Sequence, residues 1–264
     1  MKSFLKYPGG KSKLSPLINK HLGEGSRLIE PFVGAGNVFI NTDYDKYLLN
    51  DINKDIIDTF HYLRTELDRL MTLASGYFTG LHNTEEQYYR LRALFNTLPA
   101  SVERSALFIY LNRHGYNGLV RYNQSGGFNV PYGRYRSPYF PEKEMEFFAK
   151  KLKRATLICG DFGEAFRRAR KGTVVMADPP YFSISDTANF TSYSGGDFGM
   201  SHQKRLNELS LKAMDRGVKV VITNHDLPIS RQMYSGAKLT SIEVGRSISC
   251  KTRGKVKELI AVYG

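Results

Sequence analysis

Strand-like runs stand on both sides of the sequence, and between residues 54 and 154 they stop. Leu28-Ile29 leads into Glu30-Pro31-Phe32-Val33-Gly34-Ala35-Gly36, and Tyr47-Leu48-Leu49 ends at Asn50-Asp51. Residues 26 to 51 therefore read as strand, turn, helix and strand, half of a doubly wound sheet. Residues 54 to 154 carry helical apolar spacing in Ile56 to Leu73, Tyr88 to Leu98 and Ala106 to Leu111, then a Gly/Asn/Pro-rich loop at 115 to 141. Strand signals resume at Thr156 to Cys159, Thr173 to Ala177, Val218 to Thr223 and Ser241 to Val244, with a closing strand at Leu259 to Tyr263. The expected fold is α/β, a doubly wound and mostly parallel sheet split around a helical insert. Its parts are a core segment at 1–53, the insert at 54–154, and a second core segment at 155–264.

At 264 residues the chain can bury such a core without staples, and its two cysteines, Cys159 and Cys250, suggest no metal cluster. No secretory segment opens the sequence and no apolar run is long enough to cross a bilayer, so a reducing cytoplasm is the expected home. Thirty-eight basic against 25 acidic residues give a net charge of +13, which favours a polyanionic partner. From Arg104 to Pro141 there is no Asp or Glu, yet the window holds Arg104, Arg113, Arg121, Arg134 and Arg136 among Phe108, Tyr110, Tyr116, Tyr122, Phe128, Tyr132, Tyr135, Tyr139 and Phe140. Arginine forks interleaved with planar rings suit a surface that holds phosphates and reads or stacks on bases. A solvated loop over core tyrosines is the plainer reading, but such a surface normally mixes both signs of charge. A second basic stretch, Arg246 to Lys257, is equally consistent with a phosphate grip and with an exposed hairpin.

The chemistry concentrates at Asp178-Pro179-Pro180-Tyr181, directly after the strand Thr173 to Ala177. That places it at the carboxyl edge of the sheet, where open α/β folds bind ligands. Two prolines cannot continue the strand, and their carbonyls are left to face a ligand. An exocyclic amino group offers two N–H donors. Asp178 can accept one and the Pro179 carbonyl the other, while Tyr181 stacks on the base. Nitrogen then attacks a sulfonium methyl in line, a transfer that needs positioning and charge matching with no metal. Gly34-Ala35-Gly36 is a turn that lets backbone approach a nucleotide-like ligand, although the full dinucleotide fingerprint is missing. Asp51 ends the following strand, where an acid can meet ribose hydroxyls; it could also cap the next helix. Tyr7-Pro8-Gly9-Gly10-Lys11 reads as a turn, or as a loop folding over a cofactor's carboxylate tail.

Together these segments resemble the Dam-type DNA adenine methyltransferases over essentially the whole chain. The matching stretches are Phe4 to Lys11, Glu30 to Gly36, Leu107 to Tyr122, Phe128 to Tyr135, Asp178 to Tyr181, Ala188 to Thr191 and Asn224-His225-Asp226. The resemblance implies S-adenosylmethionine as methyl donor, S-adenosylhomocysteine as product, and adenine N6 in double-stranded DNA, within GATC, as target, with the base turned out of the helix. It implies a cofactor pocket lined by Tyr7, Lys11, Phe32, Gly34, Asp51, Phe162 and Asp178, and DNA contacts from Lys6, Tyr116, Asn117, Leu119, Arg121, Pro131, Arg134 and Tyr135. Relatives often carry Trp where this chain has Tyr7. It also implies a cytoplasmic setting, a bacterial nucleoid or a phage-infected cell, with no membrane and no obligate protein partner. An Asp-Pro-Pro-Tyr-type loop serves guanine amino groups in RNA as well, but the split core and the aromatic-arginine insert argue against that substrate. Protein glutamine methyltransferases resemble Asn-Pro-Pro-Tyr instead, and a silent DNA-binding protein would not need the intact loop.

Overall fold

The computed structural model describes residues 1–7, 14–182, 198–245 and 255–264. Its elements run α1 (Ser15–Leu22), β1 (Arg27–Glu30), α2 (Asn37–Ile40), β2 (Lys46–Asp51), α3 (Lys54–Thr65), α4 (Leu67–Gly76), α5 (Glu85–Thr97), α6 (Val102–His114), α7 (Glu142–Leu152), β3 (Ala155–Cys159), α8 (Phe162–Arg167), β4 (Thr173–Ala177), α9 (Met200–Met214), β5 (Lys219–His225), α10 (Pro228–Met233), β6 (Lys238–Gly245) and β7 (Lys255–Tyr263). The seven strands take the order β3-β2-β1-β4-β5-β7-β6. Strands β2, β1, β4 and β5 pair in parallel, whereas β7 is antiparallel to both β5 and β6. The expected α/β class and mostly parallel sheet are present, and the closing strand adds an antiparallel edge.

The chain divides into two compact units. One comprises residues 17–32, 44–50 and 161–264 and holds β1, β4 to β7 and nearly all of β2. Its central strands are buried throughout: every residue of β4 is covered, and Val220, Val221, Ile222, Leu259, Ile260 and Ala261 are fully enclosed. Strands covered on both faces are what continuous Val/Ile/Leu runs produce in parallel sheets. Enclosing each such side chain contributes on the order of 1.5–3 kcal/mol.

The other unit comprises residues 1–16, 33–43 and 51–160. Its axis is α6, capped by Ser101, whose hydroxyl accepts the Arg104 amide at 3.1 Å. Residues Ser105 to Asn112 of α6 are buried on every side, as a helix surrounded by others requires. Around it, Phe4, Phe39 and Phe60 close on Phe148 with ring centroids 4.8–5.1 Å apart. Among the described residues no helix is long and apolar enough to cross a membrane.

Candidate active site

Parallel register brings β4 and β5 out together. Ala177 lies opposite Ile222, so Asp178, the residue that follows β4, comes out beside Thr223, which is still within β5. The Thr223 hydroxyl donates to Asp178 Oδ1 at 2.5 Å. Past the two prolines, the Tyr181 hydroxyl donates to Glu258 Oε2 at 3.2 Å, and its ring meets His225 edge-on, centroids 4.8 Å apart at 81°. Burial, then the nearby Asp178 and Glu258 carboxylates, hold the Tyr181 hydroxyl well above its ordinary pKa, so it stays a proton donor.

The segment Asn224-His225-Asp226 stands behind this loop. Asn224 Oδ1 accepts the Phe182 amide at 3.1 Å, and His225 Nδ1 lies 2.6 Å from the Phe182 carbonyl. Asp226 instead pairs with Arg231 Nε at 2.5 Å. The Pro180 carbonyl, expected to face a ligand, turns inward and accepts from Gln203 Nε2 at 2.8 Å. Gln203 is itself held by Tyr234, whose hydroxyl donates to Gln203 Oε1 at 2.5 Å. The Pro180 carbonyl lies past the end of β4, and the side-chain amide of buried Gln203 supplies its donor.

In the same unit Phe32, Phe162 and Phe198 pack as a trio with centroids 5.3, 5.4 and 5.6 Å apart. Arg205 lies over Phe162, 4.7 Å from the ring centre, and its two amino nitrogens reach the Asp161 carboxylate at 2.5 and 2.9 Å. That hydrogen-bonded pairing holds the Asp161 carboxyl below its usual range while Asp161 caps α8. Phe198 was not anticipated; it carries no spacing or motif signal of its own.

The expected acid sits in the other unit. Asp51 Oδ2 accepts the Gly34 amide at 2.8 Å, and Oδ1 accepts the Asn53 amide at 2.9 Å. Burial raises the Asp51 carboxyl above its ordinary 3.8, partly offset by the amides of Asn53, Gly34 and Ile52. The helix cap is not Asp51 but Asn53, whose Oδ1 accepts from the amides of Asp55 and Ile56 at 3.0 and 3.4 Å. Gly34 has φ +49°, and a Cβ there would lie 3.6 Å from the Tyr7 ring. Ile52, next in chain, is 79% exposed. A buried carboxylate aimed beside a glycine turn, with an exposed aliphatic and an aromatic at hand, fits a ligand carrying a diol and a flat ring. Lys11 and Ala188 to Thr191 lie outside the described residues, as does most of Arg246 to Lys257.

The residues expected at DNA, Lys6 apart, lie in the segment that follows α6. Asn112, fully buried, accepts the Lys6 amide through Oδ1 at 2.7 Å and donates through Nδ2 to the Lys6 carbonyl at 2.8 Å and the Gly118 carbonyl at 3.3 Å. The Lys6 ammonium donates to the Arg113 carbonyl at 3.1 Å and lies 4.0 Å from the centre of the Tyr135 ring. Desolvation, with the Arg113 charge, lowers the Lys6 pKa. The Tyr135 hydroxyl accepts the Asn117 amide at 2.9 Å, and Asn117 sits at φ 53° in a 3-10 turn over Tyr116–Gly118. Tyr116 is half exposed, its amide bonded to the Pro131 carbonyl at 2.9 Å. Leu119 is half-buried and Pro131 exposed. Arg121 is exposed, with Nε 2.7 Å from Asn129 Oδ1 and Nη2 3.2 Å from the Asn129 carbonyl. Arg134, also at φ 53°, reaches Glu85 at 3.2 Å.

The acid-free window is thus not one surface. Arg104 turns inward: Nε and Nη2 meet Asp55 at 2.6 and 3.0 Å, Nη1 meets the carbonyls of Phe95 and Leu98 at 2.6 and 2.8 Å, and the guanidinium lies 3.9 Å from the Phe95 ring centre. Tyr122 also donates to Asp55, at 2.6 Å. Phe108, Tyr110 and Phe128 are core residues. Asn112, Thr223 and Glu258 carry no signal in the sequence, since a lone polar residue inside an apolar element has no signature there.

A parallel sheet with an acceptor loop at its carboxyl edge, and a separate cluster of arginine, lysine and exposed rings, defines an α/β enzyme acting on a nucleic-acid-like substrate. Residues 7–248 match the family model described as D12 class N6 adenine-specific DNA methyltransferase. The chain is 47% identical over 265 residues to the DNA adenine methylase of Vibrio cholerae, covering 99% of this chain and 96% of that protein. It is 45% identical over 264 residues to those of Salmonella typhi and Escherichia coli, covering 99% of this chain and 95% of each. The chain belongs to the D12 class N6 adenine-specific DNA methyltransferase family.

Proposed function

We propose that this protein transfers the methyl group of S-adenosylmethionine to N6 of adenine in double-stranded DNA, within GATC, in the cytoplasm. The observation that carries the reading is the carboxylate of Asp178, fixed by Thr223 at the carboxyl end of a buried parallel strand, in a chain of this family. Asp178 and the Pro179 carbonyl accept the two amino hydrogens and direct the nitrogen lone pair away from the ring. Tyr181 packs on the base. S-adenosylmethionine supplies an electrophilic methyl on sulfonium sulfur. Asp51 receives the ribose hydroxyls, Gly34 admits the cofactor close to backbone, and Tyr7, Lys11, Phe32 and Phe162 line its site. Lys6, Tyr116, Asn117, Leu119, Arg121, Pro131, Arg134 and Tyr135 meet the duplex, with Arg121 reading guanine and Tyr116 filling the gap left by the extruded base. Residues 54–154 act as the target-recognition insert, and the work requires no metal.

The purified protein, given methyl-labelled cofactor and a panel of duplexes, should label GATC sites, with the label mapped to adenine N6. Label on cytosine, on RNA or on protein alone would overturn the reaction. Label on adenine without regard to GATC would overturn only the target.

A further inference from the structure

Thr223 and Glu258 occupy interior positions of the sheet that chemistry alone would assign to apolar residues. Thr223 is fully buried on β5 next to Val220, Val221 and Ile222, and Glu258 is 8% exposed on β7 next to Leu259 and Ile260. A buried hydroxyl or carboxylate is costly unless partnered. Here each partner is a residue of the Asp178–Tyr181 loop: Asp178 Oδ1 for Thr223 at 2.5 Å, and the Tyr181 hydroxyl for Glu258 at 3.2 Å. The register makes both contacts short. Thr223 follows Ile222, the partner of Ala177, and Glu258 pairs in the ladder with His225, on whose ring Tyr181 stands.

We propose that Thr223 and Glu258 are positioning residues for methyl transfer, resting on the roles given above to Asp178 and Tyr181. The orientation of a carboxylate at the end of a strand is set by the donors that meet it. With Oδ1 held by Thr223, the carboxylate keeps one plane, and the amino group meets a fixed acceptor. With its hydroxyl held by Glu258, the Tyr181 ring keeps one tilt against the base. Neither residue touches the reacting atoms. Their effect is therefore on the rate of transfer within the assembled complex, and binding of cofactor and duplex is left alone.

The test is the single-turnover transfer rate of preformed complexes, with cofactor and duplex affinities and thermal midpoints measured alongside. Thr223→Val keeps the shape and removes the hydroxyl; the rate is expected to fall about 10- to 100-fold, as small misplacements of reacting groups do, with affinities unchanged. Thr223→Ser restores the hydroxyl and should stay within roughly threefold of the parent. Glu258→Gln keeps an acceptor oxygen and should behave like the serine variant, while Glu258→Met should slow transfer by about tenfold. A folded Thr223→Val or Glu258→Met with the parental rate overturns the assignment for that residue. Equal losses in the conservative and disruptive variants, tracking lower thermal midpoints, overturn it in favour of packing. Asp178→Ala separates the layers: if it transfers at the parental rate the Asp178 role itself fails, and if it is silent while Thr223→Val is normal, only the positioning role fails.

Discussion

The carboxylate of Asp51 holds the amide of Gly34 at 2.8 Å, so the acid at the end of β2 also shapes the glycine turn after β1. A carboxylate held by backbone amides remains an acceptor for further hydroxyls. Asp51→Ala should weaken cofactor binding about 10- to 100-fold, the worth of one charged hydrogen bond, and leave duplex affinity without cofactor unchanged. Calorimetry with the cofactor alone checks this.

The same carboxyl gives a pH dependence. Its pKa in the folded protein is raised above 3.8, so its contribution to stability is greatest below that value and is lost as pH rises through the raised pKa. Cofactor hydroxyls donate to the ionised form. Cofactor affinity should therefore climb with pH through that window and level off above it, and Asp51→Asn should flatten the climb. A parallel slope in the Asn variant would assign the titration elsewhere.

Asp178→Ala should lower the transfer rate about 100- to 1000-fold with the fold intact, the usual cost of removing one contact to developing charge. Asp178→Asn retains an acceptor oxygen and should lose less. Single-turnover assays with both variants distinguish an acceptor role from one that depends on charge.

For target reading, Arg121 is braced by Asn129 at 2.7 Å. Arg121→Ala should remove roughly 1–3 kcal/mol of preference for guanine at one position of the target, raising methylation of sites altered there relative to GATC. Asn129→Ala leaves the charge and frees the fork, so it should erode the same preference with little change in salt dependence. A panel of duplexes changed one base at a time reads both, and uniform loss across the panel would make Arg121 a phosphate contact.

Asp55 receives both Arg104 and Tyr122, at 2.6 Å each. Asp55→Ala strands a half-buried guanidinium and should cost about 3–5 kcal/mol. Tyr122→Phe should cost roughly 1.5–3 kcal/mol, one hydrogen bond to a charged group. Urea midpoints rank the two.

Much of this was legible in the amino acids. Apolar runs bounded by turns placed the centres of β1 and β2 and the whole of β4, and the strand-to-proline junction placed Asp178 at the sheet edge, because backbone geometry makes both local. Strand direction was not legible: nothing in Leu259 to Tyr263 says that β7 runs against β5. Nor was the sorting of the basic window. Arg104 and Arg121 sit among similar neighbours in sequence, yet one meets Asp55, 49 positions away, and the other a surface asparagine. Asn112, Thr223 and Glu258 are invisible for the same reason: their partners are fixed by the fold and not by spacing.

Asn112 has a consequence in time. It grips both backbone groups of Lys6, 106 positions earlier in the chain. Lys6 is synthesised well before its anchor, which arrives only after α3 to α5 and most of α6 have been made. Closing so long a loop is entropically late and must follow the assembly of those helices. The segment with Lys6 and Tyr7 should thus be the last piece of its unit to be seated, and competence to grip DNA and cofactor should appear as a final, slower phase of refolding, after helix content has already returned.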